Sequence, residues 1–358
     1  MIFSVAAGPV IPVLIAAFLV AALVSLVATP WVRRYVRDHH ILDHPDPRRV
    51  HAQPLPRGGG VAVVVAFLVV GGSLALIRDE LPGVPMVRAI PEPNLLGLFL
   101  GAILATVFGA LDDRYDLRAR WQFAGQLLLA GVAVLAGITV PYIGNPFGAG
   151  NIQFIAPVGI AFTVIWIVGM INSLNFIDGL DGLSSGIALI AALTLGVLCL
   201  TSQVNQPLVA VFCFVLAGGL LGFLRWNFHP AVIFQGTAGV MFLGYTLAVL
   251  AILGSAKVVV ALMVLAVPIV DTFWVIVRRV SAGRSPFSPD RSHIHHLLLD
   301  LGLSHRLTVL LIYAVCATLG LMSLFVSSAT GVVAFAGALV VLGAVAFVLR
   351  RSPSEAAS

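Results

Sequence analysis

The sequence predicts an all-α integral membrane protein, a polytopic bundle of about eleven transmembrane helices with its N-terminus outside and its C-terminus in the cytoplasm. Three observations carry this expectation. Hydrophobic residues make up 60% of the 358-residue chain and charged residues only 10%. The mean hydropathy is +1.07. Apolar runs of about twenty residues, the length that crosses a bilayer core, recur along the whole chain. A soluble chain is about 45–50% apolar and about a quarter charged, so no water-soluble core could hide this much apolar surface. A cytosolic enzyme, a nucleic-acid-binding module and a disordered chain are all excluded, despite a sequence pI near 9.6.

The qualifying runs lie at 9–30, 60–77, 95–111, 121–138, 155–173, 184–201, 207–224, 235–253, 258–277, 308–327 and 331–349. The first has no basic segment before it and is too long for a cleaved leader, so it reads as a retained span. Short separators such as Gln203–Gln206 and Ser327–Thr330 leave no room for an extramembrane domain. The expectation is therefore one transmembrane domain over 1–350, with functional loops at 31–59, 112–120, 172–183, 225–234 and 278–307, and a disordered tail at 351–358. Cys199, Cys213 and Cys316 all fall inside apolar runs, where thiols pack rather than react.

Eleven spans put the termini on opposite sides, and charge then orients the chain. Of the 20 Lys and Arg residues, all but Arg78, Arg88 and Lys257 fall on one side, which the positive-inside rule makes cytoplasmic. All nine histidines fall there too. Any chemistry on this chain is expected to face the cytoplasm.

Four cytoplasmic segments stand out. Arg48-Arg49-Val50-His51 leads to Pro56-Arg57-Gly58-Gly59-Gly60 just before the second run. A basic loop drawn to anionic lipid is the commoner meaning of such a stretch, and a phosphate site at a Gly-rich helix start is the functional one. Asp112-Asp113-Arg114-Tyr115-Asp116 closes the third run, with Asp112 and Asp116 one turn apart on a helix face. Carboxylates at a helix C-terminus oppose the dipole. A solvated acidic loop explains them, and so does a hard cation.

The third segment carries the strongest signal. Asn172, Asn175, Asp178 and Asp181 recur every third residue as an apolar run ends, forming a polar stripe that drifts slowly around one helix face. Polar groups emerging from a membrane span are costly and usually functional. The fourth is Arg284 to His296, including Arg291, His293, His295 and His296. A His-rich tract can hold a transition metal, but His and Arg together also suit a phosphorylated ligand. Asp271, inside the ninth run, reads as a partner for Arg278, Arg279 or a buried polar network.

Together LDDRYDL, INSLNFIDGLDGL, RWNFHPAVIFQGTAG and DRSHIHH resemble the polyprenyl-phosphate N-acetylhexosamine-1-phosphate transferases, glycosyltransferase family 4. The compact HIHH form, with RRVH and PLPRGGG, looks more like the WecA/TagO branch than the related MraY branch. The resemblance implies transfer of N-acetylglucosamine-1-phosphate from UDP-N-acetylglucosamine (UDP-GlcNAc) to a polyprenyl phosphate, with Mg²⁺ or Mn²⁺ as cofactor. It implies catalytic roles for Asp112 and Asp113, and metal ligation by Asn175 and at position 237. Substrate contacts are implied for Asp178, Asp181, Asn172, Arg291, His293, His295, His296 and Arg57. The partners expected are the two substrates and the lipid bilayer, without nucleic acid and with a homodimer left open. The expected place is a bacterial plasma membrane.

Two positions depart from the family pattern. Where the family usually has GDxGS, with its Asp a metal ligand, this chain has Gly236-Thr237-Ala238-Gly239-Val240. Where a Lys commonly follows the paired aspartates, it has Gln122. A phospho-muramoyl-pentapeptide transferase and a catalytically impaired nucleotide-sugar-binding relative are the alternatives. A transporter fits less well, because its path would also need polar groups at mid-membrane and outside.

Overall fold

The computed structural model describes residues 7–43, 54–84, 90–145, 150–254, 262, 265–281, 283, 293–325, 333 and 337. Its helices are α1 (Ala7–Asp38), α2 (Val61–Leu76, with a π turn at Phe67–Gly71), α3 (Glu92–Tyr115), α4 (Ala119–Leu135), α5 (Ala156–Ile177) and α6 (Leu183–Cys199). They continue with α7 (Pro207–Asn227), α8 (Gly236–Leu253), α9 (Ala266–Ser281), α10 (Ile294–Asp300) and α11 (His305–Phe325). Two small antiparallel hairpins complete the described residues: β1 (Leu42–Asp43) with β2 (Leu55–Pro56), and β3 (Tyr142–Gly144) with β4 (Asn151–Gln153).

Each expected apolar run from 9–30 through 308–327 overlaps one of these helices. Among the described residues, α1, α3, α5, α7, α8 and α11 are the six helices long and apolar enough to cross a bilayer by length and composition; α2, α4 and α6 are apolar but shorter. The run expected at 331–349, apart from Val333 and Gly337, and the tail at 351–358 lie outside the described residues.

Helix α8 is the axis of the bundle. Every residue from Gly236 to Ile252 is buried, with α3 and α5 packed along it. The outer helices show the opposite pattern. On α1, Ile15, Leu19, Leu23 and Val27 recur one turn apart and are all exposed, an apolar stripe that suits hydrocarbon rather than water. The other side of α1 meets α7 through Gly218 and Gly222, where an added Cβ would stand 2.1 Å from the backbone oxygens of Phe18 and Ala22 respectively. Small residues one turn apart let two backbones touch where lipid offers no hydrophobic drive for association.

Helices consecutive in the chain from α1 to α9 alternate in direction, so one end of the bundle gathers the C-termini of α1, α3, α5, α7 and α9 and the N-termini of α2, α4, α6, α8 and α11. The polar motifs fall at that end.

Candidate active site

The first loop is zipped onto the approach to α8. Phe234 N–H donates to Pro56 O (2.8 Å), Gly59 N–H to Phe234 O (2.8 Å) and Gly60 N–H to Gln235 O (2.9 Å). This clamp carries Arg57 to the end of α3. There Arg57 Nε lies 2.7 Å from Asp113 Oδ1, Nη2 lies 3.8 Å from Asp112 Oδ2, and Nη1 lies 3.6 Å from Asp116 Oδ1. Arg57 Nη2 also donates to Thr237 Oγ1 at 2.8 Å.

Asp113 has a second set of partners. Its two oxygens accept the N–H groups of Thr237 (2.8 Å) and Ala238 (3.0 Å) in the first turn of α8. A carboxylate that opposes the dipole of its own helix thus caps the N-terminus of another, satisfying donors that have no partner within that helix. The close approach needs Gly109, where a Cβ would meet Ala238 Cα at 2.4 Å. Asp112 is buried and accepts from Gln122 Nε2 (2.7 Å) and Leu117 N–H (3.0 Å). Asp116, expected to share a face with Asp112, instead ends the helix in a left-handed conformation (φ 46°), its side chain 91% exposed.

The polar stripe is also divided. Helix α5 stops at Ile177 because Asp178 leaves helical geometry at ψ 41°, and Gly182 takes φ +77° to open α6. Only Asn172 and Asn175 are therefore on the helix. Asn172 turns towards α4, donating to Gln126 Oε1 at 2.6 Å and to Val168 O at 2.8 Å. Asp178 accepts from Ser184 Oγ. Burial pushes its carboxyl up to about 7, against the lowering effect of that hydroxyl. Asp181 Oδ2 accepts Ala231 N–H (3.1 Å) and lies 2.7 Å from His229 Nδ1, and the His229 ring stacks on His305 at 4.1 Å.

The histidine tract folds over the same end. His293 Nδ1 lies 2.7 Å from Asp271 Oδ2, and Ile294 N–H donates to Asp271 Oδ1 at 2.8 Å. Of the readings open for Asp271, these bonds are those of a buried polar network. His295 is buried, and desolvation with its neighbouring imidazoles holds it neutral, well below the usual histidine range. Arg291 lies outside the described residues.

A cavity of ≈ 190 Å³ at this end is lined by Asp43, Arg57, Asn175, Asp178, Asp181, Asn227, Thr237, His296 and His305 among others. Asn175 also lines a smaller cavity of ≈ 90 Å³, with Gln122, Gln126 and Asn172.

Residues 95–255 match the family model described as glycosyl transferase family 4. The chain is 36% identical over 323 residues to a probable undecaprenyl-phosphate N-acetylglucosaminyl 1-phosphate transferase of Bacillus subtilis, covering 88% of this chain and 86% of that protein. The chain belongs to glycosyl transferase family 4. It is also 38% identical over 321 residues to a decaprenyl-phosphate N-acetylglucosaminephosphotransferase of Mycolicibacterium smegmatis, over 82% of this chain and 77% of that one. The undecaprenyl-phosphate alpha-N-acetylglucosaminyl 1-phosphate transferase of Escherichia coli is similar at 27% identity over 300 residues, 81% of this chain and 77% of that one.

Phosphotransferases of glycosyl transferase family 4 generally need a divalent metal. The donors present fit a hard cation beside Asp178. The cavity offers oxygens from Asn175, Asp178 and Asp181, and the Asp178 carboxyl, raised by burial, would regain its charge beside a cation. Thr237 is placed differently, its hydroxyl already bonded to the Arg57 guanidinium. Asp181, His229 and His305 also bring ligand atoms within 4.8 Å of one another. The two imidazoles stack at only 18°, which points their in-plane lone pairs nearly parallel instead of at one ion.

Asp43, His229, His305 and Asp271 were not among the expected site residues of this glycosyl transferase. The available signals were the confinement of every histidine to one side and the HPA step in RWNFHPAVIFQGTAG.

Proposed function

We propose that this chain transfers N-acetylglucosamine-1-phosphate from UDP-GlcNAc to a polyprenyl phosphate, releasing UMP. The observation that carries the reading is the convergence of Arg57, Asn175, Asp178 and His296 on one cavity at one end of an apolar bundle. On this reading the protein crosses a bacterial plasma membrane eleven times as one domain, with the cavity on the cytoplasmic side. The one-sided cations and histidines support that orientation.

An oxygen of the polyprenyl phosphate attacks the sugar-bearing phosphorus of UDP-GlcNAc. The bond from that phosphorus to the bridging oxygen breaks, and UMP leaves with the electron pair. Repulsion between phosphates dominates the barrier, so the protein works by positioning and by neutralising charge. Mg²⁺, or Mn²⁺ in its place, held by Asn175 and Asp178, would neutralise the diphosphate. A cavity of ≈ 190 Å³ is below the ~300–1,000 Å³ of a typical ligand pocket, so it takes the diphosphate while sugar and nucleoside extend beyond it. Asp181, His296 and, from the loop outside the described residues, Arg291 belong to that donor side.

A phosphate monoester is largely dianionic at pH 7, its second pKa being about 6, so the attack needs no strong base. Asp113 has both oxygens occupied by α8 and Arg57. With Asp112 it holds the guanidinium where the incoming phosphate needs a cation. Thr237 and Asn172 act at the edges, as partners of Arg57 and Gln126.

Purified chain in lipid nanodiscs, given UDP-GlcNAc and polyprenyl phosphate, should release UMP, stop on chelation and recover with Mg²⁺. Release only from a UDP-muramoyl-pentapeptide would move the assignment to the muramoyl-pentapeptide branch. No release from any donor would favour an impaired relative, the reading that Thr237 and Gln122 motivate by departing from the family pattern.

A further inference from the structure

Asp271 takes no part in the chemistry above, yet it is 3% exposed on helix α9. A carboxylate at such a position is expensive unless something uses it. Both of its oxygens are used, and by adjacent residues. Oδ1 accepts the N–H of Ile294, the first residue of α10, and Oδ2 faces His293 Nδ1 at 2.7 Å. One side chain therefore caps α10 from another helix and fixes the ring that precedes it.

The fixed ring begins a stack. His293 lies over Phe176 at 6.0 Å and 30°, with His295 on it at 5.5 Å and 10°. His296 follows at 4.4 Å, its ring tilted by 44° against His295, and lines the cavity. Phe176 sits directly after Asn175, and the Arg279 guanidinium, also from α9, lies 5.8 Å from its ring. A carboxylate accepting at Nδ1 also sets the tautomer, because the ring must carry its proton there and present Nε2 as an acceptor.

We propose that Asp271 is a positioning residue: it latches α10 to α9, fixes His293, and through the imidazole stack sets His296 and Asn175 against the cavity. This rests on the transfer reaction proposed above for its kinetic part only.

The latch also has a readout that does not involve the reaction. In full-length protein in nanodiscs, backbone hydrogen exchange over 294–300 should rise at least tenfold in Asp271→Ala. It should stay near wild type in Asp271→Asn, whose amide oxygen still accepts from Ile294. Asp271→Asn presents an amide N–H₂ to Nδ1 and forces the other tautomer, so kcat for UMP release should fall at least tenfold with KM for UDP-GlcNAc changed less. If the effect runs through His293, Asp271→Asn/His293→Ala should be no slower than His293→Ala alone. Wild-type exchange in Asp271→Ala would overturn the latch. A kcat within twofold of wild type in Asp271→Asn, or a double variant whose losses multiply, would overturn the coupling to His293. Should wild-type protein release no UMP from any donor, the transfer reading fails while the exchange comparison still decides the latch.

Discussion

The paired aspartates Asp112 and Asp113 and the single Asp178 lie at the same end of the bundle, and they differ in the partners that hold them. Asp112 and Asp113 are saturated: an arginine, a glutamine amide and three backbone N–H groups already neutralise them. Asp178 has a serine hydroxyl for a partner, and its carboxyl is raised to about 7 by burial. On the proposed reading, folding completes the first pair and a ligand completes Asp178. Sequence spacing makes them look alike; the partners tell them apart.

The sharpest way to break this contrast is Asp178→Asn. The change is nearly isosteric and removes only charge. UMP release should fall about 10²–10³-fold, the size of one lost transition-state contact, with an unchanged size-exclusion profile. Wild-type turnover would show that Asp178 awaits nothing. Arg57→Ala tests the saturated side. Stripping the cation from Asp113 should cost about 3 kcal/mol, the low end for one broken buried pair because Arg57 is partly exposed, read as a lower midpoint in thermal unfolding in detergent. Asp178→Asn should leave that midpoint within a degree or two of wild type.

A smaller effect is expected from Thr237→Asp, which adds a carboxylate to the cavity lining. It should lower the Mg²⁺ needed for half-maximal UMP release by up to about tenfold, or about 1.4 kcal/mol. Arg57 stands 2.8 Å from the Thr237 hydroxyl and takes part of the new charge. A rise in KM for UDP-GlcNAc instead would mean that repulsion of the diphosphate prevails. The smallest change is Gln122→Lys, which exchanges a neutral donor on Asp112 for a cation. A partly exposed pair is worth about 0.5–1 kcal/mol, so KM for the polyprenyl phosphate should shift by no more than about fivefold.

The helices were legible because a bilayer imposes a similar length on each spanning run, and α3, α5 and α7, at 24, 22 and 21 residues, follow it closely, whereas α1 runs on to 32. The π turn at Phe67–Gly71 was not, because it depends on how α2 packs beside Phe99 and Phe212. Within the site, the motif at 172–182 was found by its spacing, but its helix ends earlier than a three-residue period implies. That early end sends Asn172 and Asp178 into different cavities. Asp113 was legible as a candidate, but not its partner: its cap on α8 joins residues 124 apart, a distance over which no local pattern carries information. His229 and Asp271 escaped for the same reason.

That separation also matters for how the protein is made. A chain grows at roughly 5–20 residues per second, so about 6–25 s pass between the synthesis of Asp113 and that of Thr237, 124 residues later. During that interval α3 is already made, and the two N–H groups that will hold its terminal carboxylate do not yet exist. Arg57 is made first and is the only one of these partners present from the start. Asp112 finds Leu117 and Gln122 within ten residues, but Asp113 must wait, paired at most with Arg57, until α8 arrives and seals it. Anything that slows the arrival of α8 lengthens the life of a half-built membrane protein with its most acidic segment exposed, the stage at which quality-control proteases would find it.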